Sequence, residues 1–230
     1  MTYVMSDLHG RYDLYLKMLE KIRLTDSDTL YILGDFVDRG DDGLRILLDM
    51  AERNNVIGLM GNHDYLALCI LMNLDRPLQP EEKAAFNTLV NDWLADGGYP
   101  TYREFNGLSS KEKKLALMTL DSLRNYVEVK VGEREFVLCH AGIKGYSEGR
   151  PLCEYDTEKF IVTREDYSQR KFNKKGKYLV SGHTPTAAIY GAKDGRIYKN
   201  LDHIAIDCGA VFGLGLGCLC LDSMEEFYVL

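Results

Sequence analysis

Five short polar segments, each placed directly after an apolar strand-like run, constrain this chain more than any other feature. They are Ser6-Asp7-Leu8-His9-Gly10, Gly34-Asp35-Phe36-Val37-Asp38-Arg39-Gly40, Gly61-Asn62-His63-Asp64, His140-Ala141-Gly142 and Ser181-Gly182-His183-Thr184-Pro185. The glycines allow the chain to turn sharply where a strand gives way to a loop. Four of the five histidines fall in these segments, which leaves only His203 outside them. A lone Asp-x-His is more often a turn with a satisfied polar side chain. Five such segments in this order, each at a strand end, are not accidental.

The runs between them set the fold class. Residues 3–5, 29–33 and 56–60 read as strands, and 12–22 and 44–50 as helices with near-helical apolar spacing. That alternation predicts parallel crossovers and an α/β fold, in which ligands gather outside the carboxyl ends of the strands. From residue 64 to about 125 the pattern becomes helical, with breaks expected at Pro77, Pro80, Gly97, Gly98 and Pro100. Helices are expected over 81–94 and 110–120, the second capped by Ser109 or Ser110, as an elaboration over the site. The second half turns to strands: 127–131 and 135–139 around a Gly132-Glu133 hairpin turn, then 178–180, 204–207, 216–221 and 227–230. At 230 residues, the length fits one domain, 1–230, with no internal repeat.

Composition excludes several classes. Apolar content of 46% supplies a core, so the chain is not intrinsically disordered. A net charge of −7 argues against a stable nucleic-acid complex held by charge, but not against anionic substrates, because bound cations supply local positive charge. The first polar segment begins at Ser6, which leaves no room for a cleaved leader, and the longest apolar runs are far short of the ~20 residues that span a bilayer. Six scattered cysteines with no CxxC pair read as reduced core thiols. Together these predict a cytoplasmic protein without membrane association.

The five segments resemble those of the calcineurin-like metallophosphoesterases. They are most similar to the bacterial and phage-type serine/threonine phosphoprotein phosphatases, whose pattern is DxH, GDxVDRG, GNHE, HAG and GHTP. The resemblance runs over nearly the whole chain: residues 204–210 look like that family's terminal strands, and Trp93 to Gly98 like its bacterial Trp-x-x-x-Gly-Gly feature. It implies an α-β-β-α sandwich of two mixed sheets flanked by helices, with a helical insertion at about 64–125. It also implies two divalent metal ions and direct hydrolysis by a bridging hydroxide, without a phosphoenzyme. Asp7 and His9 would bind the first ion, Asp35 would bridge, and Asn62, His140 and His183 would complete the second. Oxygen and nitrogen ligands without thiols disfavour structural zinc and suit Mn, Fe or Zn, with Mn expected first.

By the same resemblance His63 is the general acid, held by Asp38, and Arg39 grips a phosphoryl oxygen with Asn62 alongside. A second phosphate-binding arginine is expected, and Arg164 is the best positional match. Its alternative reading is a solvated surface arginine, since the tryptophan that often precedes this arginine in relatives is absent. The third segment reads GNHD rather than GNHE, as in the symmetrical dinucleoside tetraphosphatases. Those enzymes usually lack the aspartate at the position of Asp38. Asp38 carries more weight because it partners the acid, so a serine/threonine protein phosphatase acting on phosphorylated protein is the leading expectation. A symmetrical dinucleoside tetraphosphatase, or another nucleotide or polynucleotide phosphatase, is the alternative. A non-catalytic scaffold is remote, because the ligand set is complete.

Three weaker signals remain. Residues 170–177 carry a basic run that reads as a solvated loop rather than a guide for a polyanion. Gly209 to Gly217 lacks a dinucleotide-binding spacing and reads as a tight loop, although Phe212 on it could overhang the metals. His203 reads as a loop or strand-end side chain rather than a ligand.

Overall fold

Two sets of strands with alternating apolar side chains decide the architecture. The structure is a computed structural model describing residues 1–230. Its first half runs β1 (Thr2–Met5), α1 (Tyr12–Ile22), β2 (Thr29–Ile32), α2 (Gly43–Ala51), β3 (Val56–Gly58), then α3 (Asn62–Leu71), α4 (Pro80–Trp93), α5 (Tyr99–Gly107) and α6 (Ser110–Asp121). The second half runs β4 (Tyr126–Val131), β5 (Arg134–Cys139), α7 (Glu158–Ile161), β6 (Lys177–Ser181), β7 (Tyr198–Asn200), β8 (His203–Ala205), β9 (Leu216–Cys220) and β10 (Glu226–Val229).

The strands form two five-stranded mixed sheets, β10-β9-β1-β2-β3 and β4-β5-β6-β8-β7. In each sheet three neighbouring strands are parallel: β1, β2 and β3 at one edge of the first, β5, β6 and β8 in the middle of the second. Period-two alternation sorts their side chains into two cores. Val4, Leu138, Val180, Ile204 and Leu219 share one apolar cluster, which packs sheet on sheet. Their neighbours Met5, Val137, Leu179 and Cys218 fall in the larger cluster with the helices. In α1 the buried stripe Leu14, Tyr15, Met18, Leu19 and Ile22 faces that cluster. All six cysteines are free thiols, and Cys139, Cys208, Cys218 and Cys220 are buried.

Ser109 caps α6: its Oγ accepts from Glu112 N at 3.3 Å, and the Glu112 carboxylate accepts from Ser109 N at 2.9 Å. One expected break is bridged instead. α4 runs into α5 through a π-type turn, Leu94–Gly98, where Gly97 takes φ 105°, and Pro100 sits in the first turn of α5, where its missing N–H costs nothing. The sequence pattern gave no sign of α5 or of the three-residue β7. The strand expected over 204–207 leaves its ladder early: Ile206 N still donates to Ser181 O at 2.8 Å, but Asp207 lies beyond the sheet. The Gly209 to Gly217 loop contains a one-turn 3-10 helix, Ala210–Phe212. No helix is long and apolar enough to cross a membrane.

Candidate active site

The parallel strands of both sheets deliver the polar segments to one place. β1 leads to Asp7 and His9, β2 to Asp35, Asp38 and Arg39, and β3 to Asn62 and His63; from the other sheet, β5 leads to His140 and β6 to His183. Most of these residues line a cleft of about 240 Å³, together with Arg164. His140 is fully buried, and Asp38 is fully buried beside His63. Nine non-glycine residues have positive φ, and six of them are Asp7, His9, Asp35, Asp38, Arg39 and His183. That conformation is costly for residues with a Cβ, and here it is concentrated where side chains must be aimed. Gly61 and Gly182 are needed for a different reason: a Cβ on either would strike the Asp35 or the Asp7 carboxylate.

The donor atoms suit divalent cations. His140 Nδ1 donates to Leu33 O at 2.7 Å, and burial pulls its pKa down, so its Nε2 carries a lone pair. That lone pair lies 3.0 Å from Asn62 Oδ1, 3.2 Å from His183 Nδ1 and 3.5 Å from Asp35 Oδ2. Apart from the His183 ring no donor enters this set, and a cation is what would satisfy it. The same Asp35 oxygen lies 3.4 Å from His9 Nε2, whose Nδ1 bonds to Val37 O at 2.9 Å. Asp35 therefore belongs to both groups of converging ligand atoms, His9 with His63 and His140 with His183.

The charges agree. Burial brings both His9 and His183 down to about 4, which keeps the rings neutral and able to ligate. Burial, Asp207 and Asp35 push Asp7 well above the usual carboxylate range. Burial lifts Asp207 to about 7, although Gly209 N donates to it at 2.9 Å. Buried carboxylates that repel one another are the mark of a site completed by positive charge.

His63 behaves differently from the other three. Burial pulls it down, but the hydrogen bond to Asp38 and the charges of Asp35 and Asp38 outweigh burial and raise it. Asp38 Oδ2 lies 2.8 Å from His63 Nδ1 and accepts from Trp93 Nε1 at 2.9 Å. Thr101 Oγ1 donates to Asp38 Oδ1 and accepts from Asp38 N, both at 2.8 Å. Trp93 and Thr101 come from the helical segment, so α4 and α5 hold the partner of His63. Arg39 N donates to Gly97 O at 2.7 Å, and its guanidinium reaches His9 Nε2 at 2.7 Å and His63 Nε2 at 2.9 Å. A cation on His9 therefore needs this guanidinium to swing outward. Phe212, 59% exposed at the cleft mouth, lies 5.9 Å from the Arg39 guanidinium carbon.

Asp64 points away from the cleft. Its carboxylate accepts from Asp35 N at 2.7 Å, Phe36 N at 2.9 Å and Gly61 N at 3.0 Å, tying the start of α3 to the loop after β2. Arg164 lines the cleft, with Nη1 3.4 Å from Thr184 Oγ1. The basic run is largely paired with carboxylates: Lys171 with Glu165 at 2.7 Å, Lys174 with Glu135 at 2.5 Å, Lys177 with Glu128 at 3.3 Å. His203 is buried outside the cleft, its Nε2 2.9 Å from Gln169 O. Sequence reasoning missed Asp207, which lines the cleft, and Thr101, which is buried behind Asp38. Asp207 repeats the signal of Asp7 and Asp35, an aspartate closing an apolar strand run. Thr101 carried no signal, because a threonine inside a helix is ordinary.

The two-sheet fold and a cleft whose oxygen and nitrogen atoms suit metal ions define the class of protein this is. Residues 2–195 match the calcineurin-like phosphoesterase family, and the chain belongs to that family. A segment of 77 residues is 36% identical to the symmetrical bis(5'-nucleosyl)-tetraphosphatase of Salmonella typhimurium; it covers 33% of this chain and only 27% of that relative. Among solved structures, a candidate diadenosine tetraphosphatase superposes with a TM-score of 0.67 at 17% identity, over 99% of this chain and 92% of the other. A serine/threonine phosphatase from Saccharomyces cerevisiae superposes with a TM-score of 0.56 at 12% identity, over 100% and 80%. At these identities the two superpositions establish the shared fold alone.

Proposed function

We propose that this chain hydrolyses dinucleoside tetraphosphates at a two-cation site. Two divalent cations, manganese first, would be held by Asp7, His9, Asp35, Asn62, His140 and His183, with Asp207 beside the first. When bound, they would activate a water for attack and neutralise phosphate charge. The observation that carries the hydrolytic reading is the division of the histidines. Three neutral imidazoles converge on Asp35, while His63 is turned to Asp38 and bonded through Nδ1 at 2.8 Å.

In this reading His63 donates a proton from Nε2 to the departing oxygen, and Asp38 orients the ring and favours its charged form. Arg39, released from the two rings, grips a non-bridging phosphate oxygen, as a guanidinium fork suits. Arg164, which also lines the cleft, holds the phosphate chain. Asn62 and His63 open α3, so the positive end of that helix also faces the anion.

The 77-residue match to the Salmonella relative supports the dinucleotide over the phosphoprotein expected from the sequence. A phosphoserine/threonine substrate is the second reading, favoured by the intact Asp38–His63 pair. Initial rates with Mn²⁺ on diadenosine tetraphosphate and on a phosphoserine peptide decide between them. Higher kcat/KM on the dinucleotide, with release of two ADP, is expected; preference for the peptide overturns the first reading in favour of the second.

A further inference from the structure

Beside the cleft, with Arg164 in the lining of both, lies a second cavity of about 720 Å³ that none of the chemistry above uses. Beyond Arg164 the lining turns aromatic, with Tyr167, Tyr190 and Tyr198, and carries a polar edge at Ser168 and Asn200. A volume of this order fits a small organic ligand, and a few polar groups on an apolar lining are what such sites show.

The three rings differ in how they are held. Tyr167 is only 8% exposed and packs edge-on against Tyr198 at 6.1 Å and His203 at 5.5 Å. Its backbone carbonyl accepts from Asn200 Nδ2 at 2.9 Å, which ties β7 to the segment that follows Arg164. Tyr198 is therefore buttressed from behind. The Tyr167 hydroxyl is buried and makes no hydrogen bond. Tyr190 is 100% exposed, just past the 3-10 turn Thr186–Ala188 that follows the His183 segment. A ring left entirely in water contributes nothing to the core, and this one borders a cavity already lined by a fixed aromatic partner.

Charge decides which part of a substrate belongs there. Arg164 is the only cation in the lining. The Glu165 carboxylate is already bonded to Ile143 N and Lys171 Nζ, both at 2.7 Å, and Asp166 to Ser168 Oγ at 2.6 Å. Past Arg164 nothing welcomes a further phosphate, whereas a neutral planar group meets tyrosine faces and amide and hydroxyl edges.

We propose that this groove is a nucleoside subsite, stacking the base of the nucleotide whose phosphate Arg164 holds against Tyr190 and Tyr198. It rests on the dinucleotide reading above and places one half of that substrate: phosphates in the cleft, base in the groove. An aromatic side chain beside a phosphoserine is the competing occupant, and the uncharged ribose and base edges fit the polar rim better.

The test uses Tyr190→Ala, with Tyr190→Phe as the conservative control, on full-length Mn²⁺-loaded protein. Base–aromatic stacking is worth about tenfold or more in binding. kcat/KM on diadenosine tetraphosphate is expected to fall by that factor, mostly through KM, with p-nitrophenyl phosphate hydrolysis unchanged and the Phe variant close to wild type. Equal loss on both substrates, no loss on the dinucleotide, or loss confined to a phosphoserine peptide overturns the subsite. Calorimetric titration with adenosine separates this proposal from the activity assignment. If the wild type does not cleave the dinucleotide, adenosine binding that Tyr190→Ala abolishes still supports the groove, and absence of adenosine binding rejects it.

Discussion

The Asp38 carboxylate oxygen that lies 2.8 Å from His63 Nδ1 also accepts from Trp93 Nε1 at 2.9 Å. Asp38 is fully buried, and Thr101 takes its other oxygen. A charge in that position is tolerated because every part of it is bonded. The helical segment is therefore more than a cover over the cleft: it fixes the carboxylate that sets the orientation of His63.

Replacing Trp93 by Phe keeps a large ring and removes one charge-assisted hydrogen bond, worth about 1.5–3 kcal/mol. Stability falls by that order in urea unfolding. With Asp38 less firmly placed, kcat drops several-fold while KM and metal content stay near wild type. An unchanged kcat contradicts the positioning of Asp38 by Trp93.

Asp38→Asn tests the acid more directly. General acid catalysis contributes roughly 10²–10⁴-fold, and most where the leaving group is poor. The loss on an alkyl phosphate or a nucleotide should approach that range, while p-nitrophenyl phosphate, whose leaving group needs little protonation, loses far less. His63→Asn should give the same pattern with metals still bound. Equal losses on all leaving groups remove His63 from proton donation.

Glu104 supplies a pH-dependent term remote from the cleft. From α5 its carboxylate accepts from Leu44 N at 2.9 Å and Arg45 N at 2.8 Å, capping the start of α2. Burial nonetheless raises its pKa to about 7, against the pull of those two amides. The unfolded chain, with an ordinary glutamate near 4.3, loses the proton first. Between about 4.3 and 7 the folded state binds more protons, so this group's contribution to stability falls as pH rises. Urea unfolding at pH 5 and pH 8 should show that Glu104→Gln loses less stability across the interval than wild type. An equal or larger loss in the variant contradicts the raised pKa.

The ends of β1, β2, β3, β5 and β6 were legible because each site segment follows an apolar run and contains a turn-permitting glycine. The strand–helix alternation announced that β1, β2 and β3 are parallel and so placed their ends together, but the parallel pairing of β5, β6 and β8 in the second sheet was not read from the sequence. Less was legible where geometry comes from packing. β7 is three residues of mixed exposure, too short for a period, and α5 was hidden by Pro100, which reads as a breaker but sits in a first turn. Asp207 had the right local pattern, yet its place near Asp7 depends on β8 lying next to β6. The Tyr190 groove had no sequence signal, since its lining comes from three separated segments.

Asp35, shared by both groups of converging ligand atoms, is the residue that would join two divalent cations in one site. Metal-stripped protein dialysed against Mn²⁺ should take up two ions per chain and regain the hydrolysis that chelation removes. Asp35→Asn, folded to a similar Tm, should hold fewer than two and lose activity in step. A folded Asp35→Asn that keeps two ions and the wild-type rate would mean that Asp35 does not join the two cations.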